Sequence, residues 1–465
     1  MALGFWSLDH PPKATAVVKE NGCTLAYEEL ARESDAMAEA YQAHARKTLG
    51  FILCRNTAEC LAAYLGTLRS GQAACLLDSE LQSELLDHLL ELYEPDWLFT
   101  PVEKAVPGYI KISSIRSFLY RRNAAPCELP LAPDLALLLS TSGSTGSPKL
   151  VRLTLQNLNA NAQAIVAYLQ ITQEDRGLTS LPMSYSYGLS LVNSHLLAGA
   201  PLLMTNGGFL QRDYWDFVAT HQPTSLAGVP YHYEVMLRMR MLERDLPGLR
   251  TLTQAGGRLS SDRVSQLEEL SFRRGWRFFA MYGQTEATAR IAYVPPERLR
   301  DKVGSIGIAI PGGKLSLDEQ TGELLYAGPN VMLGYAQTRS DLAKGDELQG
   351  QLRTGDLAKR DEEGYYYITG RLKRFLKVYG KRFSLDEMEE LISRHGCSPV
   401  ACFGTDDHIR VAIERAENEG IVVEILQNLL QIHPSAFRVE KLETLPRFPN
   451  SKIDYQSLAR LEVQS

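Results

Sequence analysis

The sequence predicts an α/β protein in which strands and helices alternate, as they do in a doubly wound sheet. Three consecutive stretches carry this prediction. The apolar run "LGFILC" (Leu49–Cys54) is typical of a buried strand, Ala58–Arg69 follows helical spacing, and "AACLLD" (Ala73–Asp78) has the character of the next strand. With 465 residues, the chain is long enough for two to four domains or lobes.

Later elements continue this alternation. Downstream, "TSLAGVP" and "LTQAGG" have the pattern of strands that open into turns, and "FRRGWRFFAMYGQTEA" that of a helix end, a strand and a polar loop. Because ligands of such sheets gather at strand ends, we expect these turns to contribute to a site. Thr154 is a candidate N-cap for a helix whose apolar residues follow helical spacing: Leu155, Leu158, Ala162, Ile165, Val166 and Leu169.

The segment "STSGSTGSPK" (Ser140 to Lys149) follows the apolar run "LALLL" and is rich in glycine and hydroxyl residues. We expect it to lie between a strand and a helix, where its N–H groups, hydroxyls and one ammonium suit a polyphosphate. The spacing differs from the P-loop pattern of NTPases because Ser147 and Pro148 separate Gly146 from Lys149. A flexible surface linker is the alternative, but a linker requires neither the entering strand nor the closing Pro-Lys pair.

Composition and charge argue against several classes of protein. A net charge of -6 and a pI near 5.9 disfavour a broadly basic nucleic-acid binder. The seven cysteines and nine histidines form neither a disulfide framework nor a metal-ligand pair, so we expect reduced thiols in a cytoplasmic protein. The N-terminus lacks a signal-peptide pattern, and the longest apolar region, residues 188–204, is too short and too polar for a membrane span.

A change in composition follows Gly370, where a basic segment precedes a shorter α/β stretch. We expect a hinge at this point. A solvated surface is the alternative explanation for the charge. The basic segment runs from Gly370 to Arg382, and its cations are Arg371, Lys373, Arg374, Lys377, Lys381 and Arg382.

Eight stretches resemble the adenylate-forming superfamily, which contains acyl-CoA synthetases, firefly luciferase and adenylation domains of nonribosomal peptide synthetases. They occur in the family's order and span nearly the whole chain: "LGTLRSGQAACLLD", "STSGSTGSPK", "LPMSYSYG", "GVPYHYE", "QAGGRLS", "MYGQTEA", "RTGDLAKRDEEGYYYITGRLKR" and "LPRFPNSKID". The resemblance implies a large N-terminal part, residues 1–371, with mixed and parallel sheets flanked by helices. It also implies a small, mobile α+β C-terminal domain, residues 372–465, that rotates during the reaction.

The implied activity is that of an acid–thiol ligase. Such an enzyme uses ATP and Mg²⁺ to convert a carboxylic acid to acyl-AMP with release of pyrophosphate, and a thiol then displaces AMP. Fixed donors, a lysine and Mg²⁺ suit a transition state that gathers negative charge on phosphate oxygens. Three alternatives remain: an amino-acid-activating enzyme, a luciferase-like oxidation, and an inactive adenylate-binding protein. The last would be expected to lack Lys149, Glu286, Asp356 or Lys452, and all four are present.

The resemblance also implies roles for individual residues. Lys452, Thr285 and Glu286 would be catalytic, with Glu286 binding Mg²⁺ and Thr285 contacting the α-phosphate. Tyr282 would stack on adenine, and the Ser/Thr/Gly loop with Lys149 would hold the β- and γ-phosphates. The implied nucleotide-binding residues are Thr141, Ser142, Gly143, Ser144, Thr145, Lys149, Gly256, Gly257, Arg258, Tyr282, Gly283, Asp356, Arg371 and Arg382.

Residues near the C-terminus have roles that depend on domain rotation. A carboxylate such as Asp356 can accept hydrogen bonds from both ribose hydroxyls, and Arg371 offers a planar donor fork to the same nucleotide. A structural ion pair is the alternative for these two residues. The resemblance implies a hinge at Lys373 and a pantetheine path lined by Gly380.

The substrate is expected to lack an α-amino group, because "LPMSYSYG" holds no acid to pair with an ammonium. An uncharged acyl or aryl tail is favoured. The implied acyl pocket consists of Tyr185, Gly228, Val229, Pro230 and Ala255. The thiol would come from a free-standing carrier protein, which the "PNSKID" ending favours, or from coenzyme A.

Overall fold

The computed structural model describes residues 4–41, 46–104, 106–113, 118–123, 127–140, 149–372, 374–378, 381–405, 407–448 and 452–460. The chain forms two compact units. The first comprises the described residues before 315 together with 326–352, and the second comprises 315–325 and the described residues from 353 onward. Residues 353–371 therefore group with the C-terminal residues in this structure. The boundary predicted at residues 371 and 372 concerns a rotating domain and stays a prediction.

The strands have the following bounds: β1 (Thr15–Val18), β2 (Thr24–Ala26), β3 (Leu49–Cys54), β4 (Ala73–Asp78), β5 (Trp97–Thr100), β6 (Tyr109–Ser113), β7 (Phe118–Arg122), β8 (Leu135–Ser140), β9 (Leu150–Thr154), β10 (Gly177–Leu178), β11 (Leu202–Leu203), β12 (Ser225–Gly228), β13 (Thr251–Gln254), β14 (Arg277–Tyr282), β15 (Ala292–Tyr293), β16 (Ile308–Ala309), β17 (Lys314–Leu317), β18 (Glu323–Ala327), β19 (Gly334–Ala336), β20 (Gln351–Arg360), β21 (Tyr366–Arg371), β22 (Phe375–Val378), β23 (Lys381–Ser384), β24 (Val400–Thr405), β25 (His408–Ile413) and β26 (Phe437–Lys441).

The α-helices have these bounds: α1 (Tyr27–Tyr41), α2 (Ala58–Arg69), α3 (Ser83–Tyr93), α4 (Leu155–Leu169), α5 (Ser186–Ala198), α6 (Arg212–His221), α7 (Pro230–Arg238), α8 (Ser261–Arg274), α9 (Leu385–Arg394), α10 (Glu419–Glu424) and α11 (Tyr455–Arg460). No helix among the described residues is long and apolar enough to cross a membrane.

Two large mixed sheets form the body of the first unit. One has the strand order β16-β15-β14-β13-β12-β10-β11-β1-β2, and the other has the order β19-β9-β8-β4-β3-β5-β7-β6. In both sheets the central strands are parallel and the outer strands pair antiparallel. This arrangement confirms the predicted α/β class, since parallel neighbours require helical crossovers.

The strand β3 shows why its sequence is apolar throughout. Ile52 and Cys54 pack into a core that also contains α2, α4 and α5, whereas Leu49, Phe51 and Leu53 pack into a second core with α3. Successive side chains of a strand point to opposite faces, so a sheet covered on both faces buries every residue. The bounds of β3, α2 and β4 agree with the sequence prediction.

The prediction that the Ser/Thr/Gly loop leads directly into a helix is wrong. A further strand, β9, precedes α4 and pairs antiparallel with β8, so that Ser140 is the register partner of Leu150. The apolar side chains in "LVRLT" are all buried in this strand, and Arg152, which lies between them, is fully buried as well. The cap prediction is confirmed, because the Thr154 hydroxyl accepts from the Asn157 N–H at 3.0 Å in a reciprocal capping box.

Backbone pairing places the functional loops. Gly228 at the end of β12 pairs with Gln254 at the end of β13, which in turn pairs with Ala280 near the end of β14. Because these three strands are parallel and in register, the turns that follow them leave the sheet at one edge.

The second unit contains a four-stranded sheet in the order β17-β18-β20-β21, the hairpin β22-β23 and the sheet β24-β25-β26.

Arg374 lies inside this unit. Its guanidinium donates to the Glu389 carboxylate at 2.8 Å and to Asp386, and it lies 4.1 Å from the centroid of the Tyr455 ring. Tyr455 also donates to Glu389, at 2.9 Å. A partly buried ion pair therefore joins α9 and α11 to the start of the basic segment.

We expect Arg374→Met to destabilise the second unit by about 1–3 kcal/mol, between the ranges of exposed and fully buried pairs, because it leaves the partly buried Glu389 carboxylate without its cation. Native-state hydrogen exchange of the β24 amides measures this loss. Arg394→Met is the matched control, since the Arg394 side chain is 70% exposed beside Glu390 and such pairs contribute at most about 1 kcal/mol. Equal protection in the two variants would contradict a stabilising role for Arg374.

Candidate functional site

The first unit gathers three turns at the carboxyl edge of β12, β13 and β14. They contain Gly228 to Pro230, Ala255 to Arg258, and Gly283 to Glu286. The last of these forms a 3₁₀ turn, Thr285–Ala287. The predicted acyl-pocket and nucleotide residues of the first unit thus include neighbours on one sheet edge, where α/β folds bind ligands.

A cation, a tyrosine and a carboxylate form a cluster beside this edge. The Tyr335 hydroxyl donates to the Glu286 carboxylate at 2.7 Å, and the Lys149 ammonium lies 5.3 Å from the centroid of the Tyr335 ring. Strand β19 carries Tyr335 alongside β9, which begins one residue after Lys149, and Tyr335 pairs with Val151. Sheet pairing thus brings Lys149 close to Glu286, although 137 positions separate them in the sequence.

The local sequence does not identify Tyr335 as a site residue. Burial and the adjacent Glu286 carboxylate raise its pKa well above the ordinary value, so it remains a neutral hydrogen-bond donor at physiological pH. Its sequence context, "MLGYAQ", has no obvious polar signal. Only the pairing of β19 with β9 could have revealed it.

Thr285 lies near the start of α5. Its hydroxyl and that of Ser186 are 3.2 Å apart. Tyr185 immediately precedes the helix as its N-cap residue, without a side-chain cap. The turn after β14 and the N-terminus of α5 therefore face each other through a pair of hydroxyl groups.

The Tyr185 side chain also packs against the turn after β13. A Cβ added at Gly256 would lie 2.5 Å from the Tyr185 hydroxyl oxygen and 3.1 Å from a Val229 methyl, and Gly256 has a φ of +83°. Any side chain here would be strained and would clash with Tyr185. A Cβ at Gly257 would similarly lie 3.2 Å from the Pro230 ring. The structure therefore brings these predicted acyl-pocket residues against the predicted nucleotide turn.

The strand end that carries Tyr282 is tightly packed. The Gln284 amide donates to the Tyr282 hydroxyl at 3.0 Å. A Cβ at Gly283 would lie 1.7 Å from the Ala289 carbonyl oxygen, so glycine is required there. Arg258 follows the Gly256–Gly257 turn and is exposed.

The second unit holds the other predicted nucleotide residues that the structure describes. Asp356 and Arg371 are register partners on β20 and β21, and the Arg371 Nε donates to the Asp356 carboxylate at 3.0 Å. Asp356 is buried, whereas the Arg371 side chain is 59% exposed. Both the predicted ribose site and the structural ion pair are compatible with this arrangement.

Lys452 directly precedes an isolated bridge between Ile453 and Arg447.

Some predicted residues lie outside the described part of the chain. They are the loop residues Thr141 to Thr145, the hinge Lys373 and the tunnel residue Gly380, together with the side chain of Arg382. Their roles stay predictions.

The donor set fits Mg²⁺ better than a metal bound wholly by protein. Among the described residues, no three His, Cys, Asp or Glu side chains form a group that could hold a metal ion. Mg²⁺ commonly uses one or two carboxylates and completes its shell with water and substrate phosphates. Glu286, beside Lys149, can supply the protein carboxylate.

Comparison with known proteins gives the chain's relationships. Feruloyl-CoA synthase from Amycolatopsis sp is 28% identical over 431 residues, covering 87% of this chain and 86% of that protein. The 2-succinylbenzoate–CoA ligase of Bacillus subtilis is 25% identical over 467 residues, covering 95% and 94%. The solved o-succinylbenzoate CoA synthetase of Bacillus subtilis, in complex with its acyl-adenylate intermediate, has a TM-score of 0.78 at 23% identity and covers 99% of each chain.

These comparisons confirm the predicted fold and enzyme class. The structural likeness supports the large α/β part with a small C-terminal domain. The relatives are CoA synthases and ligases, which confirms an acid–thiol ligase that activates a carboxylic acid as acyl-AMP and speaks against the amino-acid-activating alternative. The family model for AMP-binding enzymes matches residues 5–336. The chain therefore belongs to the AMP-binding enzyme family.

Proposed function

We propose that this enzyme uses ATP and Mg²⁺ to activate a small carboxylic acid without an α-amino group, and then transfers the acyl group to the thiol of coenzyme A. The cluster of Lys149, Tyr335 and Glu286 beside the turns that follow β12, β13 and β14 carries the proposal. It combines a cation for phosphate with a carboxylate for Mg²⁺ at the edge where the acid would bind. Solved neighbours of the fold include complexes with AMP and with ATP and magnesium ion, which supports these cofactors.

In the first half-reaction, a carboxylate oxygen of the acid attacks the α-phosphorus, and the bond to pyrophosphate breaks. Lys149 would bind the leaving phosphates, and the Thr285 hydroxyl would donate to the α-phosphate. Glu286 would hold Mg²⁺, which when bound supplies positive charge for the departing pyrophosphate. Tyr185 and Val229 would border the acyl group.

Residues of the second unit have proposed roles of their own toward the nucleotide. The Asp356 carboxylate would accept hydrogen bonds from the ribose, with Arg371 holding it in place. Lys452 would neutralise charge between the attacking carboxylate and the phosphate. Rotation about Lys373 would then remove Lys452 and open the thiol path along Gly380.

Coenzyme A is the better supported acceptor, because the relatives are CoA synthases and ligases. A free-standing carrier protein presents the same phosphopantetheine thiol and is the second candidate. The basic segment offers less surface charge to such a partner than its sequence indicates, because the Arg374 side chain is 19% exposed and ion-paired. We also propose a cytoplasmic location, which the free state of all seven cysteines supports.

The overall proposal is tested by ATP–pyrophosphate exchange across fatty, aryl, hydroxy and amino acids. We expect exchange with a subset of the acids that lack an α-amino group. Product analysis with coenzyme A and with a holo carrier protein then identifies the acceptor. Exchange with α-amino acids alone would contradict the proposal.

Lys452→Ala should lower acyl-adenylate formation by about 10²- to 10³-fold, because it removes a cation that acts on the transition-state charge. Transfer from pre-made acyl-AMP to the thiol should stay within about threefold, since the lysine would have no role in that step. The two half-reactions are measured separately, by pyrophosphate exchange and by thioester formation. An equal loss in both half-reactions would contradict a role of Lys452 in adenylation alone.

Tyr335→Phe should raise the Mg²⁺ concentration needed for half-maximal adenylation by about 10-fold, because a partner that orients a metal-binding carboxylate typically contributes this much to affinity. Magnesium titration of pyrophosphate exchange measures the effect. Tyr93→Phe is the matched control: the Tyr93 hydroxyl donates to the backbone carbonyl of Ala336, beside Tyr335, at 2.9 Å and makes no contact with Glu286. Identical Mg²⁺ curves for wild type and Tyr335→Phe would exclude this role.

A further inference from the structure

Three arginines of the first unit are almost completely buried. Arg152 is 0% exposed, and Arg290 and Arg339 are each 3% exposed. Arg152 forms an ion pair with Glu347, and Arg339 lies 3.2 Å from an Asp96 carboxylate oxygen. Arg290 forms no ion pair with any residue that the structure describes, and its Nε has no hydrogen-bond partner there. It is thus a buried cation without a counter-charge among these residues.

Tyrosine rings surround Arg290. Its guanidinium lies 3.9 Å from the centroid of the Tyr187 ring. Burial raises the pKa of Tyr187 to about 12 and that of Tyr168 to about 12, and the charge on Arg290 opposes both increases. These phenols are therefore neutral at physiological pH and do not neutralise the arginine. A cation–π contact compensates only part of the hydration that a guanidinium loses on burial.

A cavity of about 30 Å³, measured as space open to the centres of water molecules, adjoins this guanidinium. About 10–15 Å³ of such space accommodates one water, so the cavity has room for a group of carboxylate size. Its lining combines hydroxyl-bearing and aliphatic side chains with a few ionisable ones, and it includes Arg290, Tyr187, Ser190, Thr253, Leu191 and His195.

The other ionisable residues of the lining either form hydrogen bonds with neutral groups or are themselves neutral. Asp175 accepts from the Thr224 hydroxyl at 2.9 Å and from the Thr172 N–H at 2.8 Å. Arg277 donates to Gln170 at 2.9 Å and to the Leu169 carbonyl at 3.0 Å. Burial lowers the pKa of His195, which keeps the imidazole neutral. Neither Arg277 nor Arg290 forms an ion pair among the described residues, but Arg290 is 3% exposed, whereas Arg277 is only partly buried at the start of β14.

One side of the cavity, at Tyr187, lies near the residues that would contact the acid, whereas its far side is formed by Ser225, Thr251 and Arg277 at the starts of β12, β13 and β14. Tyr187 belongs to the first turn of α5 and follows Tyr185 by two positions, with the two ring centroids 6.3 Å apart. Tyr185 contacts the Gly256 turn, and Ser186 contacts Thr285. A short spacer or a single aromatic ring could therefore extend from the acid site toward the guanidinium.

We propose that the acid activated by this enzyme carries a second anionic group, a carboxylate or a sulfonate, at the end remote from the activated carboxylate, and that Arg290 binds this group in the cavity. The proposal rests on the proposed acid-activating function and specifies its substrate class. A substrate anion would provide the counter-charge that Arg290 lacks, through a bidentate pair shielded from water. It differs from the expectation of an uncharged tail, which rested on Tyr185 and the segments 228–230 and 254–257 and did not include Arg290.

The test compares matched acids that differ in the distal group. The pairs are terephthalate with p-toluate, and adipate with hexanoate. We expect wild-type kcat/KM for adenylation to favour the diacid of at least one pair by about 10-fold or more, and Arg290→Gln to abolish this preference while leaving monoacid activity within about threefold. A thermal-shift measurement on wild type should show greater stabilisation by the preferred diacid than by its monoacid partner.

Arg277→Gln is the control on the same cavity and should keep the diacid preference. A wild-type enzyme that activates p-toluate or hexanoate at least as well as the diacids, with no greater thermal shift from the diacids, would overturn the inference and leave the acid-activating function intact. Equal losses for monoacid and diacid in Arg290→Gln would also overturn it. Failure of the function itself is distinguishable, because it would abolish exchange with every acid of the broader panel.

Discussion

The parallel hydrogen-bond register of β12, β13 and β14 is the constraint on which the site of the first unit depends. It fixes where each strand ends, and therefore where Gly228, Gln254 and the loop after Tyr282 leave the sheet. A one-residue slip of any of these strands would turn its side chains to the opposite face. The packing of Tyr185 against Gly256, and of Gly283 against Ala289, would then be lost together.

Buried charge is the second theme of the structure. Carboxylates accompany Arg152 and Arg339 in the first unit and Arg374 in the second. The first two pairs join segments that are distant in the sequence, and such a pair is costly to break once it has formed. Arg290 departs from this pattern, because no described residue forms an ion pair with its guanidinium.

Much of the fold was predictable from local sequence. The runs that form β3 and β4, the helix α2 and the cap at Thr154 follow from apolar spacing and side-chain chemistry, which act over a few residues. Strand β9 is not evident from local sequence because Arg152 interrupts its apolar pattern, and its partners are distant: the Glu347 carboxylate and the backbone carbonyls of residues 333, 344 and 345. Tyr335 and Arg290 were missed for the same kind of reason. Their significance depends on which strands pair and which carboxylates are absent nearby, and neither property is local.

The pairing of β8 with β9 also affects the segment between them. Ser140 and Leu150, which flank it, are register partners, so the sheet holds both ends of the segment together. Strand pairing therefore offsets the conformational entropy lost on closing this nine-residue connection, a cost that grows only slowly with loop length. Substitutions in the connection should then alter ligand binding more than they alter whether the chain folds.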